Sequence, residues 1–191
     1  MAALGDDVTA GSPGYDPSHV NAKLLGFTEN VQSQWEYWAA QKSPGLTFRN
    51  CGVYGERTDQ IAKRLDACAA DAQVLVVEGG LEDVEQGRPV AEAARNLQAL
   101  VVRAQRLGVR VELAEVIPWN NGWPQAAPAI VALNRAIHAI GRDEHIRVLP
   151  FHAVLDDPMR PGRMKDAWTA DGDNPSVAGY ERLGELAFRL P

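Results

Sequence analysis

Residues 72–84 read "AQVLVVEGGLEDV". Val74 to Val77 form an unbroken apolar run, and two glycines follow at once. A strand with one wet face alternates apolar and polar residues. A continuous apolar run bounded by glycine belongs to a strand buried on both faces, the state of a central strand in a helix-covered parallel sheet. The segment therefore predicts a strand, a sharp exit at Gly79-Gly80, and carboxylates at Glu82 and Asp83 just beyond the strand's carboxyl end.

The same pattern repeats outward in both directions. "AALG" (2–5), "LTFRNCGV" (46–53), "VRVELAEVI" (109–117) and "IRVLPFH" (146–152) read as four further strands. Helical periodicity fills the gaps. In 87–107, Val90, Ala94, Leu97, Val101 and Ala104 recur at helical spacing, and Gly108 marks the stop. Ile61, Leu65 and Cys68 share a face in 58–69. Ile130, Leu133, Ile137 and Ile140 do so in 128–141, and Val177, Tyr180, Leu183, Leu186 and Ala187 in 176–189. Strand and helix in alternation predict an α/β fold: a doubly wound five-stranded parallel sheet with helices on both faces. No repeat or linker divides the chain, so residues 1–191 are expected to form a single domain. Ligands of such sheets bind at the carboxyl ends of the strands. That selects the loops 5–15, 52–58, 79–87 and 117–125, together with the approach to the last helix, 168–175.

Composition excludes several classes. A formal charge of −6 argues against nucleic acid and anionic membrane surfaces as partners, since both need clustered Lys and Arg. No apolar run reaches the roughly 18 residues of a membrane span. The start "MAALGDD" has neither a basic n-region nor an h-region of signal-peptide length, so the expected location is cytoplasmic, or secreted with a leader already removed. Cys51 and Cys68 are too few for a disulfide framework and are expected to be buried thiols.

Four blocks in order carry a resemblance: "LGDDVTAG" (4–11), "NCGVYGERT" (50–58), "VEGGLEDV" (77–84) and "DGDNPSVAGY" (171–180). Over essentially its whole length the chain resembles the SGNH hydrolases, also called GDSL esterases and lipases. The resemblance implies a flavodoxin-like SGNH fold, an ester-like small-molecule substrate and no cofactor. It implies a serine nucleophile in the first block, oxyanion donors in the first three, and in the last a histidine base oriented by an aspartate three residues before it. Gly55 and Asp171 match that pattern. Asp7 stands at the serine position, Glu82 at the asparagine position and Asn174 at the histidine position.

Each departure removes a chemical function. Asp7 has no hydroxyl to activate. Asn174 cannot take and return a proton near neutrality, and base catalysis is typically worth about 10²–10⁴-fold. Glu82 replaces an amide donor by an acceptor. Ordinary esterase activity is therefore expected to be lost or very low. The changes strike the reacting groups and spare the surrounding glycines, as in a disabled or engineered site. Three uses remain open: an inert or ligand-binding cleft, a carboxylate general base acting on a carbon acid through Asp7 or Glu82, and a site for Mg²⁺ or Ca²⁺.

Other residues are weighed beside these. Trp119 and Trp123 lie in a loop at the functional end and are candidates to line the substrate cleft. Arg57, beside Gly55, is a candidate substrate or carboxylate partner. Of the four histidines, His19 lies in the loop after the first block and His152 follows the fifth strand, while His138 and His145 read as structural or solvated. None has the context that would replace the lost base. Trp35 and Trp38, three apart, read as the core face of a helix. The oligomeric state is not legible.

Overall fold

The structure, a computed structural model, describes residues 1–20, 24 and 29–189. Five parallel strands make one sheet: β1 (Ala2–Gly5), β2 (Arg49–Gly52), β3 (Val74–Val77), β4 (Arg110–Ala114) and β5 (Arg147–Leu149). Their order is β2-β1-β3-β4-β5, so the chain reverses direction across the sheet between β1 and β3. Leu4 is in register with Cys51 on one side and Val77 on the other. β1 and β3 are buried throughout, as their apolar runs require.

Helices cover both faces. One layer holds α3 (Thr58–Ile61), α4 (Leu65–Ala69), α6 (Val90–Arg106) and α7 (Ala127–Asp143). Leu97, Leu100, Val101 and Ala104 on α6 and Ile130, Leu133, Ile137 and Ile140 on α7 are buried at helical spacing. The other layer holds α2 (Trp35–Lys42), α8 (Phe151–Leu155) and α9 (Val177–Arg182), which continues as a π-helical turn over Leu183–Ala187. Trp35 anchors it. Its ring meets Phe48, Phe151 and Phe188 at centroid distances of 5.3, 5.6 and 5.8 Å, a range in which aromatic pairs attract. Two short helices, α1 (Asp7–Ala10) and α5 (Leu81–Glu85), start at the carboxyl ends of β1 and β3.

The structure corrects two expectations. Residues 146–152 do not form one strand: β5 stops at Leu149, Pro150 interrupts it, and Phe151 opens α8. Cys51 and Cys68 are not free thiols but a disulfide, with Cα atoms 6.1 Å apart. β2 is an edge strand, and the bond ties it to α4. Arg64 reinforces the same corner, donating to the carbonyls of Cys51 at 2.5 Å and Gly5 at 3.0 Å.

Candidate functional site

The carboxyl ends of β1, β2 and β3 and the approach to α9 meet around one cavity of about 460 Å³. The turn after β1 is compact. Asp6 caps α1, its Oδ1 accepting the Val8 N–H at 3.1 Å, which places Asp7 at the first helical position. The neighbouring strand end must come close. A Cβ at Gly52 would lie 2.0 Å from the Ala10 nitrogen, so only glycine fits. Three residues later Gly55 adopts φ +75°, and its N–H points back to Asp7. The Asp7 Oδ1 accepts that N–H at 2.5 Å, and Asp7 is only 7% exposed.

The loop carrying Gly55 is pinned to α5 through Asp83. That carboxylate accepts from the Thr58 N–H at 2.8 Å and the Thr58 hydroxyl at 2.9 Å, and Asn96 Nδ2 donates to the same hydroxyl oxygen at 3.0 Å. Glu82, one residue earlier, lines the cavity and accepts from Gln86 Nε2 at 3.1 Å. Across the cavity, Asp171 orients Asn174. Its Oδ1 accepts the Asn174 backbone N–H at 2.7 Å and its Oδ2 accepts Nδ2 at 3.2 Å. Asn174 is 4% exposed, so an aspartate holds a buried side chain where the resemblance implied a histidine, but the held group is an amide. Tyr180 ties the far wall, its hydroxyl donating to the Ser12 carbonyl at 2.8 Å.

Negative charge dominates this space. Burial, then the Asp6 carboxyl, then Glu82 and Glu85 push Asp7 up to about 8, against the lowering effect of the Gly55 N–H. Glu85 is pushed up to about 7 by burial, by Glu82 and by Asp173. Tyr54 is raised, first by the Asp7 charge and then by burial. Behind Asp7, Asp6 and Glu78 are each 1% exposed. Asp6 Oδ2 and Glu78 Oε1 find no donor, while Glu78 Oε2 accepts from the Thr9 hydroxyl at 2.9 Å. Both groups are raised, chiefly by burial.

The structure thus brings Asp7, Glu82, Asp171 and Asn174 to one cavity, with the Gly55 N–H on Asp7. Three candidates stand outside the lining. Arg57 pairs with Asp59 at 3.1 Å and donates to Gln86 at 2.8 Å. Trp119 donates its indole N–H to Asp173 at 2.6 Å, from behind that wall. Trp123 donates to the Pro161 carbonyl at 3.1 Å and carries Arg163 over its ring. His19 is bonded to Glu29, and His152 sits on α8, where its backbone N–H meets Glu115. Sequence reasoning missed Tyr15, Tyr54 and Glu85 as lining residues. Glu85 had a usable signal, because it lies three residues beyond Glu82 on one helix and so shares its face. Among the described residues, no group of three or more His, Cys, Asp or Glu converges to hold a metal ion, and no helix is long and apolar enough to cross a membrane.

Position 7 carries a carboxyl and position 174 an amide, and the Gly55 N–H rests on the Asp7 carboxyl. A family model described as the GDSL-like Lipase/Acylhydrolase family matches residues 3–182. No curated protein matches the chain. Among solved structures, a member of the lipolytic G-D-S-L family from Veillonella parvula superposes with a TM-score of 0.78 at 15% identity, over 96% of this chain and 92% of that one. A protein of Desulfitobacterium hafniense assigned to the same family gives 0.77 at 21% identity, over 96% and 94%. The lipase/acylhydrolase of Enterococcus faecalis gives 0.72 at 23% identity, over 96% and 90%. At these identities the likeness is one of fold.

Proposed function

Because the chain belongs to the GDSL-like lipase/acylhydrolase family, we propose that it keeps that family's cleft without the acyl-transfer chemistry: ordinary esterase activity is lost or very low, and residues 1–191 act as one domain that binds a small molecule. The observation that carries this reading is the Gly55 N–H resting on the Asp7 carboxyl, 2.5 Å away. An ester carbonyl entering the cavity meets a carboxyl already seated on that donor. Glu82 then adds repulsion to the developing oxyanion, and loss of one such donor alone costs about 3–4 kcal/mol. The test is hydrolysis of a chromogenic short-chain acyl ester by the unmodified chain and by a triple reversion, Asp7→Ser with Glu82→Asn and Asn174→His. The reversion turns over and the unmodified chain stays at background. Turnover by the unmodified chain at rates typical of active hydrolases ends this reading.

A second reading, general-base catalysis on an activated carbon acid, is favoured by two carboxyls on one cavity that titrate near neutrality, Asp7 at about 8 and Glu85 at about 7. It requires a rate that rises with pH and vanishes in Asp7→Asn or Glu82→Gln. If both variants keep the rate, the second reading is wrong. A divalent-cation site has less support, since the carboxylates are spread around the cavity. The Cys51–Cys68 disulfide favours an oxidising compartment over the cytoplasm.

A further inference from the structure

Among the described residues lining the cavity, six are acidic, Asp7, Asp16, Glu82, Glu85, Asp171 and Asp173, and none is Lys, Arg or His. Three of these carboxylates are satisfied locally. Asp16 accepts from the Ser18 N–H and hydroxyl, Asp171 from Asn174, and Asp173 from Trp119 and Asn121. The other three are not. Glu82 has the Gln86 amide and the neighbouring Glu85 carboxyl, and no basic side chain meets either among the described residues. Asp7 spends Oδ1 on Gly55, and its Oδ2 has no donor among the described residues, although the side chain is nine-tenths buried and lines the cavity. Arg88, three residues beyond Glu85, is paired with Glu92, and Arg57 is held by Asp59 and Gln86.

Carboxylates crowded on one cavity without a counter-charge repel one another, and a cation placed among them relieves that repulsion. A bare metal ion does not fit, because no three acidic groups converge on one point. A cavity of about 460 Å³ matches a small organic molecule. Tyr15 and Tyr54 supply ring faces that attract ammonium groups, while Leu81, Ala10 and Pro13 supply apolar wall for methylene or methyl groups. We propose that the cavity binds a small organic cation, an amine or quaternary ammonium, seated against Asp7, Glu82 and Glu85. The proposal rests on the reading that the cleft binds rather than hydrolyses.

Binding then expels protons. The groups acting on Asp7 are Asp6, Glu82 and Glu85, with Glu78 behind Asp6; those acting on Glu85 are Glu82 and Asp173; Tyr54 and Tyr180 complete the surroundings. All of these groups are acidic, and among the described residues lining the cavity none is cationic. Its charge makes Asp7 and Glu85 ionise at lower pH. The test is titration calorimetry of the unmodified chain with putrescine, spermidine and choline at pH 6 and pH 8, in two buffers of different ionisation enthalpy. At least one cation binds about fivefold more tightly at the higher pH and releases protons. 1,4-Butanediol and succinate give no heat. Glu85→Gln, at an exposed helix position where folding is not at stake, weakens binding and reduces proton release; Asp7→Asn does the same. No binding of any of the three cations overturns the proposal, as does binding that is independent of pH and unchanged in both variants. Displacement of the cations by Mg²⁺ or Ca²⁺ in stoichiometric amounts also overturns it, in favour of a metal site. Recovery of esterase activity in the triple reversion is a separate result, so either reading can fail alone.

Discussion

Asp7 takes the Gly55 N–H, the donor that a reacting carbonyl would need on the proposed reading, and on that reading restoring a hydroxyl at position 7 is not sufficient by itself. Groups that act as a unit lose and regain function non-additively. Asp7→Ser alone is therefore expected to leave ester hydrolysis near background, because Asn174 still offers no base and Glu82 still faces the oxyanion; initial rates of the single and triple reversions check this. The residue types at positions 7, 82 and 174 were readable from the sequence because four blocks fix their places. Their surroundings were not, since neither the Gly55 contact nor the burial of Asp6 and Glu78 behind Asp7 leaves a mark in spacing or composition. Glu36 shows the same limit. It lies beside Trp35 on α2 and is 3% exposed, neither carboxyl oxygen has a partner among the described residues, and burial raises it well above the usual range. Burial thus favours its neutral form. Glu36→Gln removes that proton requirement while keeping the shape, so it is expected to raise the melting temperature at pH 8 and to change it little at pH 4. A buried carboxyl without partners sets the scale of the gain, on the order of 1–3 kcal/mol. Thermal melts at the two pH values measure it.

Among the elements, β1 and β3 were the most legible, because burial on both faces leaves an apolar run that only a central strand needs. The end of β5 was not, because "VLPFH" is apolar in either conformation and Pro150 decides it. The loop holding Trp119 and Trp123 was placed at the correct end of the sheet, but its indoles are not among the residues that line the cavity. An indole N–H that leaves water needs an acceptor, and Asp173 and the Pro161 carbonyl provide them. The disulfide escaped sequence reading because 17 residues of separation say nothing about distance until β2 and α4 are packed. It closes a loop across an edge strand, where local unfolding would otherwise begin. Reduction, or the Cys51→Ser/Cys68→Ser pair, is expected to lower stability by about 3 kcal/mol for a loop of this length. Denaturant melts with and without reductant test it. An unchanged midpoint would mean that Arg64 and the register with β1 hold the edge unaided.

For the whole molecule, the raised carboxyls act together on stability. Asp6, Asp7, Glu36, Glu78, Asp83 and Glu112 are all raised, with burial as the leading cause. Unfolded, each returns to the ordinary range near 4. Between that range and its folded value, each group holds a proton when folded and has lost it when unfolded. Stability then falls as pH rises, by about 1.4 kcal/mol per pH unit for each proton so held. For Asp7 the window runs from about 4 to about 8. His152, lowered by burial, and Asp157, lowered first by the Met159 N–H, oppose the trend, because their protonation on acidification favours the unfolded chain, but they are two groups against six. The formal charge of −6 adds self-repulsion that also grows with pH. The melting temperature is therefore expected to be higher at pH 5 than at pH 8, the reverse of a protein stabilised by salt-bridged carboxylates. Asp7→Asn should flatten the curve between pH 5 and 8. A ligand that neutralises the cavity should flatten it further, and an organic cation should raise the melting temperature more at pH 8 than at pH 5. If melting is highest at pH 8 in the free chain, the buried carboxyls are ionised in the folded state, and a counter-charge on the protein must be balancing them.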